Sequence, residues 1–98
     1  MSDDEKLLEI VEYFGIGNQQ RKLEEEVFEL QESIIKFENG IGDIKEIITE
    51  LTDVSIILDQ IQEFYAIDDS EICDEYIYKL DRTIERIKEG YYDKDKGK

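Results

Sequence analysis

Hydrophobic residues recur every three or four positions in four stretches of the chain, and glycine-containing segments separate these stretches. This period is typical of amphipathic α-helices. The breaks and capping residues place the expected helices at about residues 3–14, 19–38, 43–65 and 68–89.

Polar residues at the start of three of these stretches are suited to cap helices. Asn18 is expected to cap the second helix. Asp43 with Glu46, and Asp68 with Glu71, have the spacing of capping boxes for the third and fourth helices. Short connections make successive helices antiparallel neighbours. The sequence therefore predicts an all-α fold, a four-helix antiparallel bundle in one domain over residues 1–90, followed by a polar, mobile tail over residues 91–98.

The apolar positions of the two middle helices define the expected core. Each helix has one stripe at heptad-like spacing, which predicts the buried face. The stripes comprise Leu23, Val27, Leu30, Ile34 and Phe37 in the second helix and Ile47, Leu51, Val54, Leu58, Ile61 and Tyr65 in the third. Phe28 and Ile35 share a line away from the stripe, and an exposed apolar line of this kind indicates a partner helix.

The net charge of the chain argues against two classes of partner. The chain has 27 acidic and 12 basic residues and a net charge of −15, so it is expected to bind neither nucleic acid nor membranes. No apolar run is long enough for a transmembrane helix. The acidic start differs from a signal peptide, which predicts a cytoplasmic protein. Without histidine and with Cys73 as a lone core thiol, zinc fits poorly.

Two pairs of acidic residues lie at matching positions on the middle helices. At about 100° per residue, Glu26 and Glu50 lie roughly 60° from the centre of their stripes, and Glu29 and Asp53 roughly 120° away on the same side. An antiparallel arrangement brings the four carboxylates to one edge of the interface. Because carboxylates in one place repel each other, a hard cation such as Mg²⁺ would stabilise them. A solvated acidic face is the alternative interpretation.

The same residues resemble the signature of a known family. Residues 22–30 read K-L-E-E-E-V-F-E-L, and residues 50–54 read E-L-T-D-V. This looks like the E-x-x-E, spacer, E-x-x-D pattern of the MazG-like all-α NTP pyrophosphohydrolases, especially the short single-domain members of bacteria and phages. The resemblance covers about residues 19–86.

The resemblance implies a function and assigns roles to residues. It implies Mg²⁺, with Mn²⁺ as a substitute, bound by Glu26, Glu29, Glu50 and Asp53. It implies hydrolysis of a (d)NTP between the α and β phosphates, giving (d)NMP and pyrophosphate for nucleotide-pool sanitation. Glu25 is a candidate catalytic base with a surface residue as the alternative. Lys22 is a candidate phosphate contact or an ion-pair partner of Glu26.

The last helix contains further candidate site residues, and the family suggests an oligomeric state. Lys79, Arg82 and Arg86 form one stripe and are candidate phosphate ligands, with intrahelical ion pairs as the equal alternative. The family builds its nucleobase pockets from aromatic and amide side chains. The residues of these types before the motif are interpreted first as core or cap residues, with contacts to the base as the alternative, namely Tyr13, Phe14, Asn18 and Gln19. The resemblance also implies a homodimer or homotetramer. An acidic helical adaptor or DNA mimic is the rival interpretation of the whole chain.

Overall fold

The computed structural model describes residues 1–93, and the regular secondary structure of that range is helical. The helices are α1 (Asp3–Phe14), α2 (Ile16–Glu38), α3 (Ile44–Phe64) and α4 (Asp69–Lys88), and no strand occurs among the described residues. The predicted all-α class with four helices is confirmed. The predicted mobile tail falls largely on residues 94–98, which lie outside the described residues. None of the helices in residues 1–93 is long and apolar enough to cross a membrane.

The chain divides into two compact units, and the first, Met1–Ala66, contains α1, α2 and α3. Ser2 caps α1 in a capping box with Glu5. Gly15 alone separates α1 from α2, with a φ of 90° that favours glycine. The prediction that Asn18 caps α2 is wrong, because α2 already begins at Ile16. Asn18 lies in its first turn, where Nδ2 donates to the Phe14 carbonyl at 2.7 Å.

A tight connection joins α2 to α3. The amide of Gly42 donates to the carbonyl of Lys36 at 3.1 Å. A Cβ on Gly42 would lie 2.9 Å from the backbone nitrogen of Phe37, so only glycine fits here without a shift. Asp43 caps α3 as predicted, although its side chain accepts from the amide of Lys45 rather than from that of Glu46. The loop thereby sets the start of α3 against the end of α2.

The pairing of side chains shows that α2 and α3 are antiparallel. Gln19 donates to Gln60 at one end of the pair, and further along the carboxylates of Glu29 and Glu50 offer oxygens within 4.8 Å of each other. Gln19 precedes Glu29 by as many residues as Gln60 follows Glu50. The same pairing register therefore holds along the interface of α2 with α3, and this register brings the acidic side chains into the interface.

The buried face of this unit differs from the predicted core. The fully buried apolar side chains among the described residues are Val11 and Ile57, while α2 buries Gln19, Glu26 and Ser33. The prediction that the apolar stripes form the core is wrong, because half or more of their residues are exposed. These include Val27, Ile34, Phe37, Leu51, Leu58 and Tyr65. The remaining stripe residues are partly buried, namely Leu23, Leu30, Ile47, Val54 and Ile61.

The second unit begins at Ile67 and contains α4. The amide of Asp68 donates to the Glu71 carboxylate at 3.2 Å, as the capping-box spacing predicts. No residue of α4 is buried, and Cys73 is exposed, so the prediction that it is a core thiol is wrong. The apolar face of α4 is close to half exposed or more at every position, namely Ile72, Tyr76, Ile77, Leu80, Ile84 and Ile87. We call this surface the α4 face.

Candidate functional site

Three of the four predicted carboxylates come together between α2 and α3. Glu26, Glu29 and Glu50 each offer one oxygen, and these oxygens lie within 4.8 Å of one another. Glu26 and Glu29 are one turn apart on α2, and Glu50 reaches them from α3 because the helices are antiparallel. We call these three residues the glutamate cluster. Such a group of carboxylate oxygens matches the donors that Mg²⁺ prefers.

Two oxygens of the cluster are buried and lack a hydrogen bond. They are Oε2 of Glu26 and Oε2 of Glu50, for which residues 1–93 provide no donor. The Glu26 residue is only 8% exposed. Buried carboxylate oxygens without a donor are costly, since ionised acids lose their hydration on burial. A cation would satisfy both, so the residues present fit the metal that the resemblance implies.

The electrostatic surroundings of Glu50 also favour a bound cation. Desolvation by burial is the main cause that raises the pKa of Glu50 above its ordinary value, and repulsion from Glu29 is next. A hydrogen bond with Glu29, and then the charges of Glu26 and Asp53, act in the same direction. Glu50 is therefore held where its negative charge is unfavourable in the absence of a counter-ion.

Asp53 lies beside the cluster rather than in it. It is partly buried, its charge acts on Glu50, and it lines a pocket together with Glu26. The structure thus brings together three of the predicted ligands and places the fourth next to them.

The two candidate catalytic residues lie in different surroundings. Lys22 Nζ lies 3.7 Å from Oε1 of Glu26, which is the ion pair expected from their spacing. It also lines the pocket next to Asp53. Glu25 is exposed and lines a separate depression with Glu29 on the outer side of α2. Lys22 is therefore closer than Glu25 to the buried carboxylates of the site.

A polar pocket of about 450 Å³ opens at one end of the glutamate cluster. Glu29 and Glu50 form its boundary with the cluster. Its other charged residues are two lysines and three acids, namely Lys36, Lys45, Glu32, Asp43 and Glu46. Ser33 lies at its base, and its hydroxyl donates to the Leu30 carbonyl at 2.7 Å. We call this space the lysine pocket. Sequence reasoning missed both lysines, since each is unremarkable until the loop at Gly42 brings the two helix ends together.

A second pocket, of about 300 Å³, opens at the other end of the cluster. Glu26 and Asp53 form its boundary with the carboxylates, and Gln19 and Gln60 lie in it, hydrogen-bonded to each other at 2.8 Å. The two glutamines are 4% and 2% exposed, respectively. We call this space the glutamine pocket. Its pairing joins residues far apart in the chain, which explains why no local pattern in the sequence identifies it.

The cationic stripe of α4 makes contacts within its own unit. Lys79 Nζ lies 4.0 Å from the Glu75 carboxylate, as the ion-pair alternative predicts. The guanidinium of Arg82 lies over the ring of Tyr78 at 5.5 Å, and that of Arg86 over Tyr91 at 4.9 Å. Nε of Arg82 is buried and has no acceptor among the described residues. The role of this stripe in binding phosphate stays a prediction.

No protein-family model, curated protein or solved structure matches the chain. The resemblance to the MazG-like enzymes therefore rests on the two acidic motifs and their spacing.

Proposed function

We propose that the protein is a Mg²⁺-dependent nucleoside triphosphate pyrophosphohydrolase of the MazG-like type, which converts a (d)NTP to a (d)NMP and pyrophosphate. The observation that carries the proposal is the glutamate cluster with its two buried, unpaired oxygens. A solvated acidic face would keep these oxygens in water, where they need no partner. Lys22 pairs with Oε1 of Glu26, but no group among residues 1–93 hydrogen-bonds Oε2 of Glu26 or Oε2 of Glu50, and a bound cation would supply the missing partner.

The residues of the cluster would hold the metal, with Asp53 beside them as a further ligand or as a partner for metal-bound water. When bound, Mg²⁺ or Mn²⁺ supplies charge to stabilise phosphate oxygens and to lower the pKa of the attacking water. The glutamates fix the place where the α and β phosphates meet that charge. Lys22 neutralises Glu26 and lies close enough to the site to contact a phosphate.

A triphosphate also needs positive charge beyond the metal. Lys36 and Lys45 line the lysine pocket next to Glu29 and Glu50, and they are the proposed contacts for the terminal phosphates. Lys79, Arg82 and Arg86 remain candidates for the same task. The proposal assigns the departing pyrophosphate to the lysine pocket.

Self-association is part of the proposal. The chain buries two apolar side chains completely among its described residues, yet it exposes both helix stripes and the α4 face. Phe28 and Ile35 are also exposed, as the sequence predicts. Large exposed apolar surfaces are typical of proteins that bury them against a partner. A homodimer or homotetramer would provide that cover.

The test is pyrophosphate release from a panel of nucleoside triphosphates, with and without Mg²⁺. The wild-type protein is expected to release pyrophosphate only with the metal. A Glu50→Gln variant is expected to lose about 100-fold or more in kcat/KM, because it removes a charged ligand while keeping the side-chain shape.

Asp59→Asn is the matched control for this experiment. Asp59 is an exposed acid on the same helix and lines none of the pockets described above. Its loss changes the net charge as Glu50→Gln does, and it is expected to leave the rate unchanged. Equal rates in the two variants, or no hydrolysis of any nucleotide by the wild type, would remove the enzyme proposal and favour the acidic adaptor.

A further inference from the structure

We infer that the hydrogen bond between Gln19 and Gln60 is a positioning contact for the metal site. It holds α2 and α3 together at the end away from their connection, and it thereby keeps Glu26 and Asp53 beside the other carboxylates. The inference rests on the metal site of the proposed function, and it is independent of the nucleotide that the site takes.

The bond shares the register of the carboxylates. Gln19 precedes Glu26 by seven residues on α2, and Gln60 follows Asp53 by seven residues on α3. Seven residues make two turns, or about 10.5 Å along each helix. Because α2 and α3 are antiparallel, the bond of 2.8 Å ties the two helices together two turns beyond Glu26 and Asp53.

The carboxylates themselves work against this pairing of the helices. Glu26 and Glu29 on α2 and Glu50 on α3 have oxygens within 4.8 Å of one another. Like charges at such distances repel, so without a cation the cluster pushes α2 and α3 apart. On one side of the cluster the short connection at Gly42 holds the two helices.

On the other side of the cluster a contact between the helices has to resist the repulsion. Lys22 pairs with Glu26, but both residues belong to α2, so this ion pair does not tie α2 to α3. Gln19 and Gln60 come from different helices, and their bond makes that tie.

The burial of the two amides indicates that they are there for position rather than for stability. Gln19 and Gln60 are 4% and 2% exposed, respectively. A buried pair of this kind contributes little more than apolar side chains of the same shape, whereas its length and direction are fixed. Buried polar residues at heptad spacing can set the register of paired helices. The buried residues of α2 have this spacing, namely Gln19, Glu26 and Ser33.

The experiment compares the wild type with a Gln19→Met/Gln60→Met double variant, which has side chains of similar volume and lacks the bond. Spin labels at the exposed positions of Gln20 and Asp59 report the distance between the helix ends. Both proteins carry Cys73→Ser, because Cys73 is exposed and would also be labelled. In chelator the wild type is expected to give one distance, and the double variant a second, longer one that saturating Mg²⁺ removes.

Thermal unfolding in chelator separates positioning from a merely structural role. The double variant is expected to unfold at the same temperature as the wild type or higher, since replacing both partners leaves no buried amide unpaired. A stabilising role alone would lower the Tm and leave the distance between the helix ends unchanged, and that result would overturn the inference.

Isothermal titration with Mg²⁺ gives a linked measurement. A site that is complete only in the closed population binds with an affinity reduced by the closed fraction. If about one tenth of the double variant is closed, Mg²⁺ is expected to bind about tenfold more weakly, a loss typical of groups that orient metal ligands. The closed fraction and the loss of affinity are therefore expected to agree. Weaker binding with the wild-type distance would overturn the inference.

A third substitution tests the cause of the opening. Adding Glu26→Gln to the double variant removes one of the repelling charges, so the closed fraction in chelator is expected to rise. A triple variant that is as open as the double variant would contradict the role of repulsion.

Gln31→Met is the matched control, because Gln31 is an exposed glutamine on the same helix. It is expected to keep the wild-type distance and Mg²⁺ affinity. An unchanged distance and affinity in the double variant would overturn the inference, while the proposed function stands if the wild type hydrolyses nucleotides. The expected changes in a protein that hydrolyses no nucleotide would support the positioning contact and refute the proposed function.

Discussion

The interface of α2 with α3 and the α4 face distribute polarity in opposite ways. The interface buries Gln19, Glu26 and Gln60, while the isoleucines, leucine and tyrosine of the α4 face are close to half exposed or more. A chain that folds only to bury apolar surface would do the reverse. From this difference we propose that the interface binds a polar ligand and that the apolar surface meets another protein surface. Substitutions in the polar interface and in the apolar face test this comparison.

The largest expected effect is on the polar side. Glu26→Gln removes the charge of the most buried member of the cluster, and it is expected to lower kcat/KM for the preferred nucleotide about 100-fold or more. Glu24→Gln changes an exposed acid two residues away and is expected to keep the wild-type rate. Steady-state kinetics at saturating Mg²⁺ measure both. Equal activity in the Glu26 variant would show that the cluster does not hold the catalytic metal.

The next effect is on the apolar side. Leu80→Asp puts a charge in the middle of the α4 face, and it is expected to weaken self-association by about 10-fold or more, since burying a leucine contributes about 1.5–3 kcal/mol. Sedimentation equilibrium over a range of concentrations measures the change. Asp81→Asn, at an exposed position beside it, serves as the control. A wild type that stays monomeric at high concentration would refute the proposed assembly.

A smaller effect is expected at the loop that sets the register of the interface. Gly42→Ala brings a Cβ to 2.9 Å from the Phe37 nitrogen, so the backbone must shift. Overpacking of this kind costs typically about 1–3 kcal/mol. Thermal unfolding is expected to show a lower Tm. Gly17→Ala serves as the control, because a Cβ there meets no atom within 4 Å. An unchanged Tm for the Gly42 variant would show that the loop tolerates a side chain.

The smallest effect concerns the pH dependence of the metal-free protein. The pKa of Glu50 is raised in the folded state, mainly by desolvation and by Glu29, so the folded protein binds this proton more tightly than the unfolded chain. Its contribution to stability is therefore favourable at acidic pH and is lost as the pH rises from the ordinary glutamate pKa of 4.5 through the raised pKa.

Glu50→Gln removes this dependence. In chelator the variant is expected to unfold at a higher temperature than the wild type at neutral pH, and the difference is expected to shrink towards pH 4. Thermal unfolding at a series of pH values measures it. A variant that is less stable than the metal-free wild type at neutral pH would contradict the electrostatic account of the cluster.

Local signals in the sequence predicted the helices well. The bounds of α1 agree with the periodicity, and Asp43 caps α3 as its residue type indicates. Asn18 misled the prediction for α2, because its side chain bonds the carbonyl of Phe14 inside the first turn. Gly15 alone separates α1 from α2, whereas the sequence predicted a connection of four residues between them.

The site was predictable only in part. Helical phase placed Glu26, Glu29 and Glu50 on facing shoulders, and the structure brings them together. The position of Asp53 at the side depends on the tilt and register of α2 and α3, which phase alone does not determine. The Gln19–Gln60 bond depends on the same register and joins the two ends of the pair. The prediction that the apolar stripes form the core was wrong, because an amphipathic pattern does not show whether an apolar face is covered within the chain or by a partner.

The central claim is that the glutamate cluster exists to hold a divalent cation, and isothermal titration of the metal-free protein with Mg²⁺ tests it most directly. The account predicts saturable binding to the wild type and to Asp59→Asn, with binding lost or weakened at least about tenfold in Glu50→Gln. It also predicts that Mg²⁺ raises the Tm of the wild type beyond the effect of NaCl at equal ionic strength. Indistinguishable titrations of the wild type and Glu50→Gln, with Mg²⁺ acting no more strongly than the matched salt, would contradict it.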